Sequence, residues 1–581
     1  MSFFGLGIST SGLFASQRSL EIISHNVSNA NTRGYTRQRL EQSSSNPVDL
    51  GSGLQGTGVI MDEVSQIRDE FLDITFRREN TEFSYWASRN LSLSQVEAMF
   101  NEPSKNSIRN AMDELFKNFD EVAKNPDDLT VRTTLREKTI AFTDLLNNIS
   151  GKVREQVKDL DYEIDDTITT INTFARDIAA VNEEIRDYES GNNGKANDLR
   201  DKRNVLLDDL AQYANIDVNI IKEDSGNGVI VEKLNVNING QTLVYGNDYE
   251  ALSTKKKVPH ELLPEMEVTQ LTYENGSYFD TRGLGGILGA KIELRDNGAD
   301  EEMKGLSFYS QKLDEFVKKF ATEVNIQHRK GYGLDYNSTG VNFFEANGTN
   351  FEIYEDGVFG DPGVKISDPS LVAKNLELKL DPNYVGAPAV TTISDLITDY
   401  KAKGFSEDDI IREWEEVNDG FTLYQNEDGS WMETTKITAQ NISLSDEILN
   451  DVDNIAAATE FVTNAAGEKI AKEKDGTNMS KIFNFREKDD MFEWGTPDEF
   501  VKSLISNLGV DRQEAIRSVK NKEVTLQHTE MQRQSISGVS IDEEMGNMIK
   551  FQHAYAANAR MITTMDEMLD VIVNRMGRVG L

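Results

Sequence analysis

Two apolar repeats of seven residues, one at each end of the chain, constrain its fold more than any other feature. Leu6, Leu13, Leu20 and Val27 recur at that interval near the N-terminus. Near the C-terminus Ile541, Met545, Met548, Gln552, Tyr555, Ala559, Ile562, Asp566, Leu569, Val573 and Met576 alternate spacings of four and three. A repeat of this period draws a narrow stripe along a helix, and only a partner helix buries such a stripe. The termini are therefore expected to pack on each other or on neighbouring subunits, with the residues between them forming a long excursion. That layout suits a subunit of an assembly better than a compact enzyme.

The 581 residues suggest about three or four domains. An apolar fraction of 38% is enough for buried cores, and a mean hydropathy of −0.51 fits an elongated chain with much exposed helix. No run of about 18 apolar residues occurs, so no helix is expected to span a membrane. The net charge of −38 excludes nucleic acid as an expected partner, because phosphate binding needs clustered Lys and Arg. The first forty residues depart from this acidity: Arg18, Arg33, Arg37 and Arg39 face a single acid, Glu21. This basic start is compatible with subunit contacts between opposite charges. Cysteine is absent, which removes disulfides, thiol catalysis and Cys-ligated metals together. No Sec-type signal is expected from Met1-Ser-Phe-Phe-Gly-Leu-Gly-Ile8, which lacks a charged start and a small-residue cleavage site.

Along the chain, residues 1–30 read as a helix closed by the Asn- and Gly-rich run Asn26 to Tyr35. Residues 41–58 read as loop, and Val59 to Val64 as a short strand. Helical pattern runs from Ile67 past Phe100, then from Ser107 to Lys124. From Leu146 to Tyr188 a three/four spacing holds throughout, which predicts a coiled-coil-like helix over 130–190, roughly 90 Å long at 1.5 Å per residue. A returning helix follows over 196–214. The period then changes to two, with Leu234, Val236 and Ile238 leading into Asn239-Gly240, a hairpin signal. Helical pattern resumes over 285–329 and again over 508–536. Residues 341–500 read as mixed, with a hairpin expected around Asn426 to Gly429.

Catalytic and cofactor signals are weak. Gly51-Ser-Gly53-Leu-Gln-Gly56 matches a dinucleotide-binding pattern, but such a loop must lie between a strand and a helix, and here it precedes a strand. Asp335 to Gly340 opens like a calcium loop, yet position twelve is Ala346, with Glu345 one place early. His25, His260, His328, His528 and His553 show no metal-ligand spacing. No enzyme activity, cofactor, catalytic residue or metal site is expected. Met545, Met548, Met561, Met565, Met568 and Met576 crowd the last helix, where unbranched side chains suit an adaptable interface.

Two motifs then carry a resemblance. Asn26-Val-Ser-Asn-Ala-Asn-Thr-Arg-Gly-Tyr-Thr-Arg-Gln38 resembles the N-terminal signature of bacterial flagellar rod, hook and hook-associated proteins. Ser537-Gly-Val-Ser-Ile-Asp-Glu-Glu-Met545, followed by Phe551-Gln-His-Ala-Tyr-Ala-Ala-Asn-Ala-Arg560, resembles the C-terminal signature of the same family. Segments 196–207, 285–296 and 325–331 are similar to its hook-associated branch. The likeness covers about 1–340 and 435–581, and His553 and Arg33 stand where the family often has Gln and Pro. The resemblance implies a structural subunit at the junction of hook and filament, exported unfolded through the flagellar type III channel with a cytoplasmic chaperone. It would assemble as a helical ring with copies of itself, between the hook protein and a second hook-associated junction protein. An adhesin role for the unplaced residues 345–435 is the alternative.

The expected fold is multidomain and mainly α with β-rich outer domains. The N- and C-terminal helices form a coiled-coil-like axial domain, and long antiparallel helices form the next one. The expected division is 1–58 (N-terminal half of the axial domain, with its turn), 59–215 (long helices), 216–284 (β-rich), 285–340 (returning helices), 341–500 (outer, mixed), 501–536 (a further long helix) and 537–581 (C-terminal axial helix). The expected subunit-interface residues are Leu6, Leu13, Leu20, Val27, Met545, Met548, Tyr555, Ile562, Leu569 and Val573 in the seams. Asn26, Asn29, Asn31, Gly34 and Tyr35 are expected to set the turn. A charge in a buried seam costs far more than the packing it replaces. Leu20→Asp or Leu569→Asp should therefore block assembly, and normal filaments on cells carrying Leu20→Asp, seen by electron microscopy, would refute this.

Overall fold

The computed structural model describes residues 4–571 apart from 50–52, 101–106, 191–193, 225–229, 265, 300–302, 335–339, 464–468 and 472–473, and apart from most of 347–436, where only 397, 400–405, 410, 423–425 and 431–433 are described. The chain begins with helix α1 (Phe4–Asn29) and ends its described part with helix α11 (Ile541–Asp570), and the two pack together. Gly34, at φ +79°, lies in the turn after α1, a conformation that side chains with a Cβ rarely adopt. Strand β1 (Gln38–Ser44) follows, bulges between Leu40 and Gln42, and pairs antiparallel with β4 (Val59–Gln66). At the far end of this hairpin β2 (Val48–Asp49) pairs with β3 (Leu54–Gln55). The expectation of loop over 41–58 is thus corrected. Gln38 to Ser44 carries no apolar alternation, so its strand state comes from its partner rather than from propensity.

The body is built on helix α4 (Leu129–Ser190), 62 residues long. Before it come α2 (Glu70–Phe100) and α3 (Ile108–Lys124), the latter capped by the Ser107 hydroxyl, which accepts the Asn110 amide hydrogen at 3.3 Å. After it α5 (Asn197–Tyr213) folds back along its end. The apolar stripe of α4 meets different partners in turn. Leu135 to Leu160 join the first core with α3 and α7 (Leu306–Arg329), and Ile164 to Ala179 join a second core. That second core is closed by α5, by α6 (Gly286–Asp296) and by an antiparallel sheet. The sheet holds β5 (Ile216–Asp224), β6 (Ile230–Ile238), β7 (Gln241–Tyr245) and β8 (Asp248–Tyr249) in that order, with β9 (Leu252–Pro259) and β10 (Glu267–Tyr273) as a separate hairpin. Asn239 and Gly240, both at positive φ, form the β6–β7 turn, as a two-residue hairpin requires.

The helical pattern over 285–329 is two helices, not one. The chain breaks after α6, where the Gly305 amide donates to Asn297 O at 3.1 Å, and a Cβ on Gly305 would lie 2.8 Å from that oxygen. The helix expected from 508 starts earlier, as α10 (Pro497–Ser537). Thr496 and Glu499 cap it reciprocally, with Pro497 in the first turn. It pairs along α2. Between α7 and α10 lie β11 (Phe344–Ala346), β12 (Leu423–Gln425), β13 (Trp431–Glu433), β14 (Ile442–Leu444), α8 (Asp446–Asn450), β15 (Phe461–Thr463), β16 (Lys469–Ala471) and α9 (Thr477–Phe483). β12 pairs with β13, although the turn expected at Asn426 to Gly429 lies outside the described residues.

The first core is rich in Phe. Phe320 has Phe116, Phe142 and Phe316 at 5.8–5.9 Å between ring centroids, and Phe316 stacks on Phe492 and Phe500. Arg132 is buried beside it, where its guanidinium donates to the carbonyls of Pro126, Val452 and Ile455. Next to it His328 is fully enclosed; its Nδ1 lies 2.7 Å from Val341 O, and its Nε2 accepts the Ala456 amide hydrogen at 2.9 Å. Burial holds the imidazole neutral, with its pKa lowered to about 4. The unfolded chain takes up that proton from about pH 6.5 downward while the folded one does not. Stability should therefore fall as pH drops from 6.5 to 4, by up to about 3 kcal/mol from this group. The stability difference between the wild-type chain and His328→Gln, read from urea unfolding, should therefore fall as pH drops from 6.5 to 4, and a difference that does not change with pH would contradict this.

Candidate functional site

α1 and α11 run antiparallel, with Asn26 against Glu544 at one end, Gly12 against Asn558 in the middle and Gly5 against Met565 at the other. A Cβ on Gly12 would come 2.9 Å from the Asn558 amide. The buried positions of α1 on this side include Ser9, Ser16, Ser19, Ile23 and Asn26, which continue the four/three spacing of Gly5 and Gly12. Small residues let two helix backbones approach closely, because interaxial distance is set by the side chains at the contact. The Ser16 and Ser19 hydroxyls donate to the carbonyls of Gly12 and Ala15 in their own helix, so both can be buried without a partner across the seam.

The expected seam residues lie beside this line rather than on it. Leu6, Leu13, Leu20 and Val27 are half-buried on its flank, as are Met548, Ile562 and Leu569 on α11. Met545 and Tyr555 are exposed, and Val573 lies outside the described residues. The line of α11 that meets α1 carries Glu544, Phe551, Asn558 and Met565, one residue away from Met545, Gln552 and Ala559. Apolar residues cover more than one face of α11, so apolar periodicity alone does not choose among the faces. The glycine and serine stripe does choose, and its four/three spacing is visible in the sequence.

The turn after α1 joins this pair to the body. Asn26, 1% exposed, donates through Nδ2 to Gln38 O at 2.9 Å and to the Glu544 carboxylate at 3.2 Å. Its Oδ1 accepts from the Gln38 amide at 3.0 Å and from the Tyr35 hydroxyl at 2.7 Å. Glu544, 2% exposed, also accepts from Arg37 Nε at 2.7 Å, and Arg37 Nη1 reaches Glu543 at 2.7 Å. Asn29 closes the helix end by donating to His25 O at 3.1 Å, while Asn31 and Gly34 are exposed. A side chain at Gly34 would also strike Val205.

Helix α5 supplies the acids on the body side. Asp201 accepts from the Thr36 amide at 2.9 Å, the Thr36 hydroxyl at 2.6 Å and Gln66 Nε2 at 2.7 Å, with Arg68 at 3.6 Å. Burial pushes its carboxyl up to about 6, against the downward pull of the Thr36 bonds and Arg68. Asp198 accepts from Gln38 at 2.8 Å, Asp209 pairs with Arg33, and Asp208 holds both Arg77 and Arg533. The basic start of the chain is therefore engaged within the chain: Arg33 and Arg37 in this junction, Arg18 on Glu21 and Arg39 on Glu41. Sequence reasoning did not single out Glu544 or the α5 acids, because their partners on other elements lie 131 residues or more away.

One cluster has the residue types of a hydrolytic triad. His260 Nε2 lies 3.0 Å from the Ser307 hydroxyl and 3.4 Å from Asp296. His260 Nδ1, however, accepts the amide hydrogens of Leu262 and Leu263, so the ring proton sits on Nε2, facing Ser307. That nitrogen has no lone pair with which to take the serine proton, and Ser307 is buried; the arrangement is a packing link between β9, α6 and α7. The glycines at 53 and 56 lie around β3 and are followed by β4, not by a helix, so the dinucleotide requirement fails. Among the described residues no group of His and acids could hold a metal ion.

Three family models match the chain. Residues 93–344 match the helical domain of flagellar hook-associated protein FlgK, 6–36 match the flagellar basal body rod protein model, and 532–576 match the C-terminal model of the FlgEFG basal body rod proteins. The last two fall on α1 with its turn and on α11. Flagellar hook-associated protein 1 of Bacillus subtilis is 26% identical over 100% of this chain and 99% of its own length. That of Escherichia coli is 26% identical over 97% and 98%. The structure of the flagellar hook junction protein FlgK from Burkholderia pseudomallei shares the fold, with a TM-score of 0.53 at 15% identity over 80% of this chain and 100% of that one.

Removing the Glu544 carboxylate leaves Asn26 and Arg37 short of a buried charged partner, a loss of about 1.5–3 kcal/mol. Glu544→Ala should therefore speed amide hydrogen exchange through α1 and α11 and leave α4 unaltered. Unchanged exchange in the terminal pair would contradict the role given to this carboxylate.

Proposed function

The chain belongs to the family of flagellar hook-associated protein 1 and is a structural junction subunit of the bacterial flagellum, not an enzyme; from that premise we propose that it is exported unfolded by the flagellar type III system and assembles with copies of itself as a helical ring joining hook to filament. It assembles with other flagellar axial proteins, and its neighbours in the axis are the hook protein on one side and a second hook-associated junction protein on the other. A chaperone holds it in the cytoplasm before export, and the finished subunit is extracellular. Nucleic acid is not a partner of so acidic a chain.

The observation that carries this reading is the pairing of the two ends. Helices α1 and α11, which fall in the segments 6–36 and 532–576 that match models of axial proteins, meet as a single antiparallel pair, and Ile541, Met545, Ile549, Met561 and Met568 of that pair face solvent. Apolar residues left uncovered along a helix find burial in an assembly. Interface roles for Leu6, Leu13, Leu20, Val27, Met548, Tyr555, Ile562, Leu569 and Val573 belong to this proposal, as does the role of the Asn26–Tyr35 turn in setting the path out of the axis. The lack of cysteine suits a chain threaded unfolded, since no stray disulfide can form. No described helix is long and apolar enough to cross a membrane. The adhesin alternative finds no support in the relatives.

Cells lacking the gene should carry bare hooks in electron micrographs and release flagellin into the medium, detected by immunoblot. Normal filaments on such cells would remove the junction role.

A further inference from the structure

The β1–β4 hairpin and α1 enclose a groove of about 480 Å³ that the intramolecular packing leaves open. Its apolar lining comes from Phe14, Leu40, Met61 and Val64. Phe14 and Met61 are 54% and 44% exposed. The hairpin is held to α1 by the Val59 amide on the Ser11 hydroxyl at 3.2 Å, by Gln42 on Ser19 at 3.1 Å and, at the start of β1, by the Asn26–Gln38 bonds. A two-stranded ribbon with an uncovered apolar edge is weak in water by itself. The groove is also acidic. Arg18 and Glu21 pair with each other, Glu63 shares Lys195, and Asp62 takes a hydrogen bond from Ser43 with no cation partner among the described residues.

The complementary surface lies on the outward side of α11. From Met545 to Met565 this strongly acidic chain carries no Asp or Glu, but it has Lys550, His553 and Arg560. Ile549, 53% exposed, lies on the side turned away from the Glu544–Met565 line, a side that His553 and Arg560 share by helical spacing, while Met561, 50% exposed, lies on the flank of that line. Lys550 and Arg560 form no ion pair among the described residues. We propose that the groove of one copy receives the outward face of α11, around Ile549 to Arg560, from a second copy. The apolar side chains then bury Phe14 and Met61, and Lys550 and Arg560 approach Asp62 and Glu63.

This inference rests on the assembly reading above and names the surfaces that carry it. The two surfaces are different patches of one molecule, so the contact is heterologous. Repeating it generates a ring or a helical array rather than a closed dimer. Surfaces of opposite charge with apolar centres also set register, because the wrong alignment places like charges together.

The absence of cysteine makes the contact directly testable in the full-length chain. Met61→Cys and Ile549→Cys chains, carrying tags of different size, are mixed under polymerising conditions and oxidised. A mixed covalent dimer should form several-fold more in the sedimented polymer than when Ile549→Cys is replaced by Leu129→Cys, an exposed position on α4. Asp62→Lys and Lys550→Asp should each reduce the sedimented fraction, and their combination in one chain should restore it. Polymers that form without the mixed dimer, or charge reversals that do not rescue each other, overturn the proposed contact and assign the groove to another occupant. A wild-type chain that forms no polymer overturns the assembly reading and the contact with it.

Discussion

Asn26, Arg37 and Glu544 bind both ends of the chain to each other and to the first residues of the body. Asn26 closes the N-terminal helix onto β1 through Gln38 and at the same time reaches across to α11. Arg37 spans Glu543 and Glu544, and its backbone amide bonds Ser537 O at the end of α10. A buried carboxylate is tolerable only where its oxygens are satisfied, and Glu544 is satisfied only when α1, the turn that leads into β1, and α11 are all in place. The direction in which the terminal pair leaves the body is therefore set by one polar node rather than by a broad apolar contact.

On the body side the node meets a second layer of charge along α5. Asp198, Asp201, Asp208 and Asp209 receive donors from the turn, from β1 and β4, from α2 and from α10. Arg533 of α10 lies over the Phe76 ring at 3.9 Å while pairing with Asp208. Such networks add orientation more than net stability, because desolvation offsets much of the attraction. Stability comes from elsewhere: α4 runs through two apolar cores, and its stripe is covered in succession by helices and by sheet. The division of labour fits a subunit that needs a rigid body and a pair of ends held at a set angle.

Much of this was legible in the residues. The three/four spacing from Leu146 to Tyr188 is the spine helix, and Asn239-Gly240 is the turn it resembled. Two signals were present but unread: the capping pair Thr496 and Glu499 with Pro497, and the small-residue stripe of α1. Strand β1 left no signal, because an exposed ribbon strand needs no apolar alternation. The break between α6 and α7 was masked by apolar residues that continue the helical period on both sides of it.

The sequence alone determined that each end is a helix in need of a partner, that an Asn- and Gly-rich turn follows the first, and that no catalytic constellation is spelled out. These are local properties, written in periodicities of seven residues and in the backbone freedom of a few positions. Only the tertiary structure decided which face of each terminal helix meets the other, and that Glu544 and the α5 acids hold the turn. The physical reason is that apolar periodicity specifies a stripe but not its partner. A hydrogen bond between residues 518 positions apart leaves no mark in either neighbourhood until the chain has folded.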